Sequence, residues 1–164
     1  MAVRPNVLGD AEFDDQDPAG YRGAEVRPGG EEIWRAAGGR ELHIRAFLLP
    51  PGESLCPYHY EYVEEWLLLL EGELELRTPS GRERLTAGAL ACFPGGPEGA
   101  HKVTTPTDSK RPARFVMFSD GREPSVAVYP DSDKIGVWVP GGADNLLIRR
   151  PQANADYYDG EVDG

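Results

Sequence analysis

His59, Glu61 and Glu65 recur at even spacing in the stretch CPYHYEYVEEW, residues 56–66. On an unbroken extended strand such spacing puts side chains on one face, so one imidazole and two carboxylates would point the same way. A second imidazole, His101, follows the Gly- and Pro-rich loop after ALACF, one strand further on. Two imidazoles and two carboxylates converging inside a barrel make a nitrogen and oxygen donor set. That set suits Fe(II), Mn(II), Ni(II) or Zn(II) rather than a thiolate-preferring metal. Glu61 has a second reading, as the acceptor of a hydrogen bond from a neighbouring imidazole. The bland alternative for the whole group is ordinary barrel-lining or surface residues with no metal.

The remaining reactive groups carry less. His43 lies opposite the apolar stripe of its own strand, which favours exposed surface over a pocket wall. Glu64 alternates away from Glu65, towards solvent or an ion pair. Cys56-x-x-His59 invites a zinc knuckle completed by Cys92 and His101, but the gap between those two does not fit a compact knuckle. Cys56 and Cys92 read as free thiols acting as small apolar fillers. Tyr58, Tyr60, Tyr62 and Trp66 read as core or interface aromatics. No Gly-rich phosphate loop joins a strand to a helix, and no Gly-x-Ser-x-Gly elbow is present.

The elements that must position these groups are strands. LHIRAFLL alternates with period two and ends at Pro50-Pro51-Gly52. VEEWLLLL and ELELR follow, with a tight turn at Glu71-Gly72, and TPSG turns the chain back into RERL as a hairpin. ALACF, HKVTT, ARFVMFS, SVAVYP and KIGVWVP complete eight or nine short strands separated by turn residues. The pattern predicts an all-β barrel or sandwich. EEIWRAAG (31–38) reads equally as a helical turn or a first strand. In VEEWLLLL both faces are apolar apart from Glu65, so both need cover. The outer one is expected to meet the N-terminal arm or a second subunit, which points to a homodimer.

At 164 residues the chain is long enough for one domain with a real core. Its 17 basic and 28 acidic residues give a net charge of −11, which argues against a nucleic-acid partner and against docking on anionic lipid. No apolar run reaches the length of a membrane span. The start, MAVRPNVLGDAEFDD, shows no basic-then-apolar leader, from which a cytoplasmic location is expected.

Two motifs carry a family resemblance. The first reads Gly52, then His59-Tyr60-Glu61, three residues, Glu65, six residues and Gly72; the second reads Gly88, ALACF, Pro94-Gly95-Gly96, His101 and Thr105. Together they resemble the paired motifs of the cupin superfamily, single-domain conserved-barrel type. The motifs span 52–105, and the strand pattern extends the likeness to 41–140. The resemblance implies a double-stranded β-helix, or jelly-roll, barrel over 25–140, with an N-terminal arm (1–24) and a C-terminal tail (141–164). It also implies a divalent metal held by His59, Glu61, Glu65 and His101. Glu61 stands where the family has a second histidine, and Thr105 where it has asparagine. A different register places Tyr58 and Tyr60 at both histidine positions. Cupins host many functions on one barrel. The implied roles are a metal-dependent enzyme acting on a small molecule, an oxygenase or isomerase, or else a metal-free ligand-binding or sensor protein.

Overall fold

The structure is a computed structural model and describes residues 4–13, 17–152, 155–159 and 161. Parts of the expected arm and tail lie outside those residues. The described chain forms thirteen strands: β1 (Glu12–Phe13), β2 (Ala24–Glu25), β3 (Leu42–Leu49), β4 (Tyr60–Glu61), β5 (Glu65–Glu71), β6 (Glu73–Thr78), β7 (Gly81–Thr86), β8 (Leu90–Phe93), β9 (Lys102–Thr104), β10 (Ala113–Asp120), β11 (Ser125–Tyr129), β12 (Lys134–Trp138) and β13 (Leu146–Arg149). All pairings between them are antiparallel. They build a six-stranded sheet in the order β1-β2-β3-β10-β5-β8, a four-stranded sheet β13-β12-β11-β4 and a three-stranded sheet β7-β6-β9. This is a jelly-roll barrel. The ambiguous segment around Trp34 is a single helical turn, α1 (Ile33–Ala36). Among the described residues no helix is long and apolar enough to cross a membrane.

Alternation along β3, β5 and β10 separates inside from outside. Phe47 and Leu49 of β3, Leu67 and Leu69 of β5, and Phe115 and Met117 of β10 point inward and pack with Leu74, Leu76 and Val103. A fully buried leucine here contributes roughly 2 kcal/mol, so this apolar floor anchors the barrel and lets the rows above it be polar. The opposite faces of the same strands, Ile44, Ala46, Val116, Phe118 and Leu70, lie under Val7, Ala11, Val26 and Ile33 of the N-terminal segment. That segment supplies the outer cover expected for β5 at Leu70, while Trp66 on the same face is 37% exposed.

The turn at Glu71-Gly72 is a corner rather than a hairpin, because β5 and β6 belong to different sheets. Gly72 has φ +80°, and a Cβ there would lie 2.7 Å from the Pro112 carbonyl oxygen, so the corner tolerates only glycine. The TPSG hairpin forms as the turn residues predict, with β6 and β7 in continuous register. Two-residue strands such as β4 lie below the length at which alternation can be read, and β13 extends the β12 sheet with residues of the expected tail.

Candidate metal centre

The strand carrying His59, Glu61 and Glu65 is broken, contrary to the even-spacing expectation. β4 pairs with β11 in one sheet and β5 pairs with β10 and β8 in another, and the chain bends between them. Glycines make the bend possible. The Gly96 N–H donates to the Glu61 carbonyl at 2.7 Å, and a Cβ at Gly95 would stand 3.0 Å from the Tyr62 carbonyl oxygen. His59 and Glu65 therefore meet across the barrel interior instead of side by side on one strand.

His101 joins them through a long-range backbone bridge. His59 N–H donates to the His101 carbonyl at 3.1 Å and His101 N–H to the His59 carbonyl at 2.8 Å, which sets the two ring centroids 4.8 Å apart. The His101 ring is clamped face to face on Phe93, 3.7 Å away and 8° from parallel. One ligand atom from each of His59, Glu65 and His101 lies within 4.8 Å of the others. The Glu65 Oε2 atom is 3.9 Å from His59 Nε2 and 3.8 Å from His101 Nε2.

The tautomers follow from the hydrogen bonds. His59 Nδ1 lies 3.0 Å from the Pro57 carbonyl oxygen and His101 Nδ1 lies 2.9 Å from that of Gly99. A carbonyl only accepts, so each Nδ1 carries the proton and each Nε2 presents a lone pair to the cavity. His59 is 8% exposed and His101 2%. Backbone carbonyls that orient an imidazole in this way are the usual support of a metal-ligating histidine. The composition of the PGGPEG loop has its reason here: Gly99 offers the accepting carbonyl, and a Cβ on it would run into the Pro94 carbonyl.

Electrostatics point the same way. Burial, and then the Glu61 carboxylate, push Glu65 up to about 8, with Arg45 opposing. Burial, and then His59, hold His101 down to about 4, with the Gly99 carbonyl opposing. Burial also lowers His59. A largely buried carboxylate without adequate positive charge, facing two neutral imidazole lone pairs, is a donor set that a divalent cation would satisfy.

Glu61 lines the same cavity but stands off the trio, its Oε2 accepting from Ser125 Oγ at 3.0 Å. Ser125 opens β11 and carried no sequence signal. The cavity above the trio measures about 860 Å3 and is walled by β3, β10, β11 and the N-terminal segment. His43 belongs to this wall, half-buried, instead of to open surface; its ring stacks on Trp34 at 4.1 Å. Its strand's apolar face is the outer one, covered by the arm, so the opposite face is the interior. Arg45, two residues on, donates Nε and Nη2 to the two carboxylate oxygens of Glu25 at 2.9 and 2.8 Å. A charged residue at the inward period of β3 was the signal that could have found this pair.

Cys56 and Cys92 are free. Cys56 Sγ lies 3.5 Å from His59 Nδ1, and burial pushes its thiol up to about 12, which keeps it protonated and a poor ligand. Cys92 is exposed and so is no core filler. Tyr58 and Tyr60 are buried, whereas Tyr62 is exposed. Thr105, at the family's asparagine position, is fully buried and donates its hydroxyl to the Leu49 carbonyl at 2.9 Å.

Residues 46–119 match the family model for the cupin domain. The chain superposes on a sugar phosphate isomerase from a cupin superfamily of Silicibacter pomeroyi DSS-3 with a TM-score of 0.75 at 21% identity, covering 94% of this chain and 98% of that one. A protein of Acidithiobacillus ferrooxidans ATCC 23270, provisionally named a sugar phosphate isomerase, gives 0.74 at 18% identity over 90% of both chains. The polyketide cyclase RemF from Streptomyces resistomycificus gives 0.56 at 21%, covering 76% of this chain and 84% of that one. At these identities the likeness is one of fold. Among curated proteins, none matches this sequence.

Proposed function

We propose that this chain, a jelly-roll barrel whose residues 46–119 match the cupin domain, is a metal-dependent isomerase of a small α-hydroxy carbonyl compound. The observation that carries this reading is the convergence of two unprotonated Nε2 atoms and the Glu65 carboxylate at one end of an open cavity. A divalent cation held by His59, Glu65 and His101 would polarise the substrate's carbonyl and hydroxyl oxygens. Glu61 is then the base. It takes the proton from the carbon bearing the hydroxyl and returns it to the former carbonyl carbon, while the hydroxyl proton passes to the carbonyl oxygen. Atoms balance, and no oxidant is needed. Ser125 holds the Glu61 carboxylate in place through Oγ. The fold-level likeness to proteins named as sugar phosphate isomerases supports the same reaction class.

Elemental analysis of the purified protein beside His59→Ala and His101→Ala tests the site. Stoichiometric metal in the wild type, lost in both variants, is expected. Wild type that stays metal-free after reconstitution with Fe, Mn, Ni and Zn sinks the reading and leaves a ligand-binding or sensor role. Incubation of candidate sugars in D2O tests the chemistry: deuterium should enter at the carbon next to the carbonyl, and Glu61→Gln should stop it while keeping the metal.

One observation favours a second reading. Two histidines and one carboxylate are also the donor set of non-haem Fe(II) oxygenases, and substrate-dependent oxygen uptake by iron-loaded protein would select that branch. A homodimer fits the exposed apolar residues Trp66 and Leu90 on β5 and β8, the latter 62% exposed; sedimentation of the wild type beside Leu90→Glu tests it.

A further inference from the structure

We propose that the cavity selects an unphosphorylated, neutral polyhydroxylated carbonyl compound and rejects the phosphate ester of the same sugar. The inference rests on the isomerase reading and narrows its substrate class. It runs against the names of the structural neighbours, and the reason lies in the wall.

Of the residues lining the cavity, eight are aspartate or glutamate and three are arginine, with no lysine among those described. A divalent cation would leave that surplus negative. Each arginine is also engaged. Arg45 is occupied by both oxygens of Glu25. Arg27 lies 3.6 Å from the same carboxylate. Arg122 donates both its Nε and its backbone N–H to Asp120. A phosphate dianion recognised in a protein cavity needs free guanidinium or ammonium groups, or the N–H groups at a helix start. The one α-helix of the described residues is a single turn preceded by Glu31 and Glu32, which repels an anion.

What the wall offers instead is neutral or internally balanced hydrogen bonding. The register of the six-stranded sheet pairs Ser119 with His43 on one side and with Glu65 on the other. One row across the sheet therefore carries an imidazole, a hydroxyl and the carboxylate of the metal trio, with neighbouring strands about 4.8 Å apart. The His43 ring is fixed in that row by Trp34 on one face and by Gly121, where a Cβ would stand 2.5 Å from Nε2. Tyr129 and Trp138 add aromatic surface to the same cavity, which suits the C–H faces of a sugar. Independent of the acidic count, the buried Nε2 atoms of His59 and His101 aim into this space with their lone pairs free, so the cavity is built for a ligand.

The test uses calorimetric titration of pentoses and hexoses beside their phosphate esters, with the intact protein both metal-loaded and metal-free. Neutral sugars are expected to bind at least ~10-fold more tightly than their esters, a gap in the range of like-charge rejection. The gap should narrow as salt rises, because repulsion is screened. Asp120→Asn releases Arg122, and Glu123→Gln removes an exposed wall carboxylate. The double variant should raise ester affinity several-fold relative to that of the neutral sugar. Esters that bind as tightly as the sugars in both forms of the protein overturn the proposal. So does failure of any sugar to bind, or a gap that neither salt nor the double variant moves. Failure of metal uptake strikes the isomerase reading alone, since the metal-free titrations still rank the two ligand classes.

Discussion

Replacing Glu65 with glutamine should separate folding stability from metal binding. Burial first, and then the Glu61 carboxylate, raise Glu65 from 4.5 to about 8. Between those values the folded protein keeps a proton that the unfolded chain has released, so metal-free stability falls as pH rises through this window. At about 1.4 kcal/mol for each tenfold change in proton affinity, the cost carried by Glu65 is roughly 1 kcal/mol at pH 5 and about 3 kcal/mol at pH 7. His101 has the opposite sign. Held from 6.5 down to about 4, it contributes stability that is present above 6.5 and lost as pH falls towards 4. The two slopes nearly cancel between 4.5 and 6.5, and above 6.5 the Glu65 cost alone continues to grow. Glutamine keeps the shape and cannot ionise, while the histidine contributions are common to both proteins. The melting-temperature difference between variant and wild type therefore isolates Glu65. In chelator-treated protein, Glu65→Gln should exceed wild type by a margin about 4–8 °C larger at pH 7 than at pH 5, for a chain of this size. Adding Mn(II) or Zn(II) should then raise the wild type and leave the variant unmoved. A variant no more stable than wild type at pH 7 would mean that Glu65 is not held protonated in the folded protein, and one that the metal stabilises equally would mean that Glu65 does not hold it.

Other perturbations probe the supports of the site. Glu61→Gln removes the charge that helps to raise Glu65, so the metal-free protein should lose less stability between pH 5 and 7 than wild type does, by thermal melts. Gly99→Ala drives a methyl into the Pro94 carbonyl and shifts the acceptor of His101 Nδ1; a loss of roughly 3 kcal/mol is expected, with weakened metal uptake in whatever remains folded. A denaturation midpoint within experimental scatter of wild type would contradict that. Thr105→Val keeps the shape but strips a buried hydrogen bond to the Leu49 carbonyl, and urea unfolding should show a cost of about 1–2 kcal/mol.

Much of this was legible in the residues themselves. Period-two alternation located β3 and β6, and apolar runs closed by turn residues located β5, β10, β11 and β12, to within a residue or two. Turn chemistry located the β6–β7 hairpin. The donor types of the trio were legible too, since a histidine pair and glutamates set in an apolar stretch demand a partner. Alternation, however, states only which residues share a face, and not which face is inside. That is why His43 read as surface when the arm covers the other side of its strand, and why the Arg45–Glu25 pair was missed.

Local pattern carries the longer strands, the glycines that allow the corners and the chemical identity of the candidate donors. How they meet is a matter of strand pairing. His59 just precedes β4 and Glu65 opens β5, strands of different sheets, and His101 reaches His59 through a backbone bridge between segments far apart in the chain. Glu61 was turned to Ser125, a residue whose proximity exists only once β4 pairs with β11. Local pattern encodes local conformation, whereas convergence on a point depends on long-range strand pairing, and that is set by closing the apolar floor of the barrel.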